Sequence, residues 1–463
     1  MKVRNIFVSI LAVLVITACN KESIIIDTAE EGYLILSIAN PQTKTDPGGN
    51  DPDNGTVEES KINNLKVILT DENGIVKIVA EPTLTDGVPE KVKVELGTYY
   101  VYALINSDIN VVEDDNINRV ITATLASDVT SGYKNGSFLM INQRNDSEIA
   151  GVKTSITEEN STNNPAKVTI YVDRVACKIV DDTDDPSISN LLVSAGSFLD
   201  AVVVEGFGVL NVNKEFNLLQ QWNKNNPDGI TITEDVLSTP FYDGADMIIA
   251  NQYFHNIGEY TTLTKDNGII TGIDVAVSAS TLFGDGPVYT TENRPTIISY
   301  GDGITANRGE TTGVIYKVQA KKNDANAETF YKYKSTLYST VAEIAQLTEF
   351  KGMNIESLED GKLRALGIQV YEDGVMYYTY FICDPNVAHQ HDSKNYYGMF
   401  RNSTYKLKIK SLSSLGDDVP GGAITDPSEP GEPGNPPIDT KEAYLDVTIS
   451  VNPWILNLIG IDF

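Results

Sequence analysis

The sequence predicts an all-β fold: two β-sandwich domains, then a C-terminal strand carried on a Pro/Gly-rich linker. Three observations carry this reading. Short runs of alternating β-branched and aromatic residues recur between turn signals along most of the chain. Only residues 340–350 (TVAEIAQLTEF) have a helical look. The tract DPSEPGEPGNPPID, within residues 416–441, is too rich in Pro and Gly for a packed core and suits an extended spacer.

In chain order, residues 1–19 read MKVRNIFVSILAVLVITAC. Lys2 and Arg4 form a basic start, and residues 6–16 are an apolar stretch too short to span a bilayer comfortably. This is the pattern of a secretory signal over residues 1–18. The end Ile16-Thr17-Ala18-Cys19 resembles a bacterial lipobox. That resemblance implies cleavage before Cys19 and acylation of its thiol and new amino group; an ordinary signal with a chance Cys is the alternative. Asn20 in place of Asp fits outer-membrane sorting in lipoproteins generally. Several acyl chains anchor far more firmly than one.

Residues 32–39 (GYLILSIA) alternate and read as a first strand. They run into NPQTKTDPGGNDPDNG, residues 40–55, a stretch suited to protease access, or else an ordinary surface loop. Lys44 is its one basic residue. Residues 64–69 and 75–79, joined through Asp71-Glu72-Asn73-Gly74, read as a hairpin. Residues 91–105 read as two strands around Gly97, and 167–180 as one long regular strand leading to a domain junction near 173–180. Further strands are expected at 269–279, 313–321, 375–383 and 405–411. No strong internal repeat is evident by eye.

The tail, residues 442–463, opens with strict alternation. Leu445, Val447, Ile449 and Val451 point one way; Asp446, Thr448, Ser450 and Asn452 point the other. Pro453 lacks an N–H and interrupts the ladder. Trp454, Ile455 and Leu456 then resume the apolar run. A sticky strand on a leash needs a groove, in its own chain or in a neighbour.

Composition fits a secreted chain. Its 463 residues suffice for two or three domains, and at 41% apolar residues large cores are within reach. The net charge of −29 argues against nucleic acid, which requires basic patches. Cys177 and Cys383 sit among apolar neighbours and read as free core thiols rather than a disulfide. His389 and His391 in AHQHDSKN have the His-x-His spacing of a metal pair. Asp181, Asp182, Asp184 and Asp185, and likewise Glu113, Asp114 and Asp115, are acidic clusters without EF-hand spacing. All three are read as solvated loops, so no metal and no cofactor is expected. There is no G-x-S-x-G, P-loop, H-E-x-x-H or C-x-x-C, and no enzyme is expected.

Several segments together resemble one family. They are GTYYVYALIN (97–106), FLMIN (138–142), KVTIYVDRVACKI (167–179), TTGVIYKVQAK (311–321), DGVMYYTYFICD (373–384) and FRNSTYKLKIKSLSSLG (400–416). VTISVNPW (447–454) follows behind the linker. In this order, with Arg-Asn-x-x-Tyr, linker and Pro-Trp, they resemble the Mfa/FimA-type fimbrilins, subunits of Bacteroidetes type V pili, and most closely the stem subunits. The resemblance implies two transthyretin-like β-sandwich domains, at 45–174 and 175–415. It implies a lipidated propeptide at 19–44, a linker at 416–441 and a donor strand at 442–463. It also implies a mechanism. A trypsin-like protease removes the first strand, and the tail of another subunit enters the vacated groove. The family is processed after Arg. Lys44, before Thr45, stands in that place here. The implied partners are copies of itself and related pilins, the processing protease, the outer membrane through lipid, and a host or bacterial surface receptor. The implied location is an outer-membrane precursor and then an extracellular fimbria. A tip or anchor subunit, a surface glycan-binding lipoprotein using some of the 23 tyrosines, and a secreted hydrolase are the alternatives. A tip subunit should lack a donor strand, which favours the stem.

Overall fold

The fold is that of a computed structural model describing residues 31–39, 53–85, 87–122, 137–144, 150–184, 187–188, 198–223, 236–238, 254–255, 261–267, 269–275, 283–284, 286–300, 303–307, 309–384, 396–412, 414–421 and 445–455. Strands dominate, as the alternation predicts.

The first large sheet has eight strands. Its order runs Val76–Ala80, Leu65–Thr70, Gly97–Ile105, Met140–Asn142, Ala166–Arg174, Glu31–Ala39, Val92–Glu95, with Val152–Ile156 also paired to Gly97–Ile105. The expected hairpin is present, with Leu65–Thr70 antiparallel to Val76–Ala80. Its turn is set by Asp71, whose Oδ1 accepts the amides of Asn73 (2.9 Å) and Ile75 (3.0 Å). Those amides hold the Asp71 carboxyl below its ordinary range. Gly74 closes the turn at φ +77°, where a Cβ is disfavoured.

Two further sheets of five strands follow. One runs Asp53–Asn54, Leu445–Ile455, Ser403–Leu412, Ala176–Asp181, Val288–Thr291. The other contains Ser187–Ile188, Ala201–Leu210, Gly313–Lys322 and Ala325–Asn326, with Val375–Phe381 on Gly313–Lys322. Cys177, Ile179, Tyr405 and Leu407 of one share a buried cluster with Val202, Phe207, Val318 and Met376 of the other. Two sheets packed face to face about a common apolar layer make a sandwich.

The run 167–180 is not one strand. It divides at Val175 into Ala166–Arg174 and Ala176–Asp181. Val175 and Ala176 lie in the core of the first sheet, and Cys177 and Ile179 in the core of the second. The sequence carries a trace of the break: the apolar phase shifts from Val168, Ile170 and Val172 to Val175, Cys177 and Ile179 across Asp173-Arg174. The layer each face meets changes there too.

The helical stretch is shorter than expected. It holds an α-helix at Val341–Ala345, capped by a Thr340/Glu343 box, and a 3₁₀ turn at Thr348–Phe350. A second short helix, Asp360–Ala365, was not foreseen. Ile344, Phe350, Ile355, Leu363, Ile368 and Val370 give this region its own small core. The strand expected over 269–279 is described as Ile269–Val275. The spacer expected from Gly416 is held at its start. The Asp417 amide and carbonyl exchange hydrogen bonds with Tyr377 at 2.8 Å, and Asp418 accepts from Arg364 Nε at 2.8 Å. Residues 422–444, the rest of the spacer and the first residues of the tail, lie outside the described residues.

Candidate assembly interface

The first strand sits in a staggered seat. Leu34 to Ala39 pair in parallel with Ala166 to Tyr171, while Glu31 to Leu34 pair antiparallel with Val92 to Glu95. Only Leu34 has a strand partner on both sides. Leu34, Leu36 and Ile38 point into the first core, with Leu34 and Leu36 fully buried. At about 1.5–3 kcal/mol each they make the seat strongly apolar. Glu31 pairs with Lys93 across the edge. The Tyr33 amide donates to the Asn160 carbonyl at 2.7 Å. Gly32 marks a tight point: a Cβ built there would stand 2.5 Å from Ile156 Cγ2, so that side chain must move to admit one.

Lys44 and Thr45 fall in residues 40–52, and Cys19 in residues 1–30, all outside the described residues. Downstream, Asp53 and Asn54 pair in parallel with Trp454 and Ile455. Thr56 and Glu59 then close a reciprocal box, with Thr56 N to Glu59 Oε2 at 2.7 Å and Glu59 N to Thr56 Oγ1 at 3.1 Å.

Glu59 opens a buried polar seam between the two cores. Its carboxylate accepts from the Tyr289 hydroxyl at 2.7 Å and pairs with Lys178 at 2.9 Å. Burial pushes its pKa up, but Lys178, Tyr289 and the Thr56 amide together hold it below the usual carboxylate value. Arg174 is fully buried. Its Nε donates to the Glu59 carbonyl (2.9 Å), one terminal nitrogen to Ser60 Oγ (3.1 Å) and the other to Asn402 Oδ1 (3.2 Å). Arg401 pairs with buried Glu292 and donates to the carbonyls of Leu218 and Asn217. Asn402 stands at φ +59°, and its amide donates to the Ala176 carbonyl at 2.8 Å. The Tyr405 hydroxyl accepts the Phe400 amide at 2.7 Å. The Arg-Asn-x-x-Tyr segment is therefore a structural hub.

Sequence reasoning missed the roles of Glu59, Arg174, Lys178 and Tyr289 in this seam. Two signals were available: the Thr-x-x-Glu box at 56–59, and Asp173-Arg174 interrupting an apolar run. Asn106 and Asn142, closing the two resembling segments in the first half, are also buried bonding centres. Asn106 Oδ1 accepts the Asn63 amide at 2.7 Å, and Asn142 Oδ1 the Ala103 amide at 2.8 Å.

The tail strand runs Leu445–Ile455, antiparallel to Ser403–Leu412 of its own chain. Leu445, Val447, Ile449 and Val451 stand opposite Leu412, Ile409, Leu407 and Tyr405. Pro453 does not end the strand. It is the last partner on the Ser403 side, after which Trp454 and Ile455 pair on the other side. A residue without an N–H is tolerated where one ladder stops. Leu456 lies outside the described residues.

Cys177 and Cys383 are not joined in a disulfide. Cys177 is buried, donates to the Phe400 carbonyl at 3.1 Å, and has its pKa pushed up by burial. Cys383 is half-buried rather than a core residue. His389 and His391 lie outside the described residues. Among the described residues no group of three or more His, Cys, Asp or Glu could hold a metal ion, and no helix is long and apolar enough to cross a membrane.

Residues 369–458 match the family model described as major fimbrial subunit protein type IV, Fimbrillin, C-terminal. Comparison with curated proteins gives no match. Among solved structures, the chain is similar to a fimbrilin from Porphyromonas gingivalis W83, with 13% identity over 93% of this chain and 99% of that one, at TM-score 0.44. It is also similar to the tip fimbrial protein Mfa3 from Porphyromonas gingivalis with C-terminal truncation, with 12% identity over 92% of this chain and 100% of that one, at TM-score 0.38. The family match spans the strands Val375–Phe381, Ser403–Leu412 and Leu445–Ile455, so this part of the chain is similar to the C-terminal region of the fimbrillins.

Proposed function

We propose that this fimbrial subunit polymerises by protease-triggered strand exchange, as a stem subunit of an adhesive surface fibre. The chain reaches the outer membrane as a precursor lipidated on Cys19. Cleavage after Lys44, before Thr45, releases the first strand, and the tail of another copy fills the vacated seat. The observation that carries this reading is the staggered pairing of Glu31–Ala39. The strand is buried enough to need a replacement, yet no neighbour holds it along its whole length. Main-chain bonds then give affinity, and alternating side chains give register. The contact is heterologous and open, so it propagates a filament.

Magnitudes suit a durable fibre. Burying about eight apolar side chains of the tail gives roughly 10–20 kcal/mol gross. Ordering the tail and losing subunit freedom offset much of that. The tail strand lies on its own chain's sheet, so exchange in this reading begins with its release from Ser403–Leu412. The test is limited trypsin treatment of the purified precursor, followed by unboiled denaturing gels and electron microscopy. Ladders and fibres from the treated protein, absent from the untreated one, are expected. A cleaved chain that stays monomeric under all conditions overturns the proposal.

A further inference from the structure

The tail carries a copy of the strand it would replace. Residues 31–39 read EGYLILSIA, and residues 442–450 read EAYLDVTIS. Glu, Tyr, Leu and Ile recur at the same spacing, and Gly/Ala, Leu/Val, Ser/Thr and Ala/Ser differ by little in size. Ile35, against Asp446, is the one unlike position. Ile35 is half-exposed, on the face away from the apolar seat, where a carboxylate is tolerated. The match is one strand long.

We propose, resting on the strand-exchange reading above, that residues 442–450 of a second copy of this chain occupy the seat in one register. Leu445, Val447 and Ile449 replace Leu34, Leu36 and Ile38, and Ala443 replaces Gly32. Alternation alone does not choose this register. A slip by one residue turns Asp446 and Thr448 into the core and is excluded by burial. A slip by two keeps apolar residues inward, so another restraint is needed. The Gly32 position supplies it, since its surroundings leave 2.5 Å to Ile156 Cγ2 and 3.3 Å to the Thr157 carbonyl oxygen for a Cβ. Slipping the tail one way puts Leu445 there. Slipping it the other way puts Lys441 there and leaves Ala443 in the Leu34 pocket. Only the unslipped register brings the smallest side chain to this tight point, where the Ile156 side chain must turn aside to admit its methyl. It also sets Glu442 where Glu31 meets Lys93. The partner so specified is the chain's own kind, because donor and displaced strand share a sequence.

Cross-linking in processed fibres tests the register. Ile35 is opposite Lys167, so the proposal sets Asp446 of the donor opposite Lys167 of the acceptor. Three double variants, in a Cys383→Ser background, pair Lys167→Cys with Asp446→Cys, Thr448→Cys or Tyr444→Cys. After trypsin treatment and a short dithiol-reactive cross-linker, the Asp446 pair is expected to give covalent multimers on boiled gels, and the slipped pairs not. Cross-linking by the Thr448 or Tyr444 pair instead, or by none while unboiled ladders persist, overturns the register and leaves strand exchange standing. Absence of ladders from the unsubstituted processed chain overturns both. As a second readout, Ala443→Leu is expected to abolish ladders in an otherwise folded monomer; normal ladders from it count against the tight point.

Discussion

Lys178 meets Glu59 at 2.9 Å with both side chains largely buried, and so joins the segment just after the first strand to the sheet that carries the tail. Glu59 is also bonded to Tyr289, 230 residues away in sequence. The segment after the first strand is therefore anchored independently of that strand.

Loss of that anchor should be costly. Glu59→Gln removes one partner of a buried pair, and about 3 kcal/mol of stability should be lost at neutral pH. The folded carboxyl titrates below its unfolded value. Its contribution is thus full above the unfolded pKa of about 4.3 and disappears as pH falls through the lowered folded value. Denaturant melts across acid pH should show this loss in the native chain and a flatter acid limb in the variant.

Processing should start the mature chain at Thr45. N-terminal sequencing of fibres checks this, and Lys44→Ala should leave an intact precursor and no fibres. Fibres that begin at Cys19 or Asn20 would refute removal of the first strand.

Cys19→Ser should abolish lipid labelling and leave an uncleaved or mislocalised precursor. Metabolic labelling with a fatty-acid analogue reads this directly, and unchanged labelling would sink the lipoprotein assignment.

Deleting residues 442–463 removes a strand that pairs along one side with Ser403–Leu412 and, at its end, with Asp53–Asn54. The truncated chain should remain a folded, secreted monomer by gel filtration and limited proteolysis, and should act as acceptor but not donor. Ladders from the truncated chain alone would defeat the donor role.

The two thiols should differ in reactivity. Buried Cys177, with its pKa raised, should resist a thiol reagent until unfolding, while half-buried Cys383 reacts in the native state. Mass spectrometry after brief labelling distinguishes them.

What the sequence by itself determined is local. Period-2 alternation marked the strands at 32–39, 313–321, 375–383 and 405–411, and Asn73-Gly74 marked the hairpin, because side-chain direction and turn φ depend on neighbours in the chain. The repeated motif in 31–39 and 442–450 is likewise written in the sequence. Tertiary structure alone decided what each strand lies against. It split 167–180 at Val175, where one face passes from the first core to the second. It held Gly416 to Asp418 in place through Tyr371, Tyr377 and Arg364, and set Leu445–Ile455 on Ser403–Leu412. It also gave Arg174 and Glu59 their partners. A buried charge is stable only beside groups that compensate it, and here those groups come from Lys178, Tyr289, Asn402 and Ser60. Periodicity states that a face is buried; only the assembled sheets state against what.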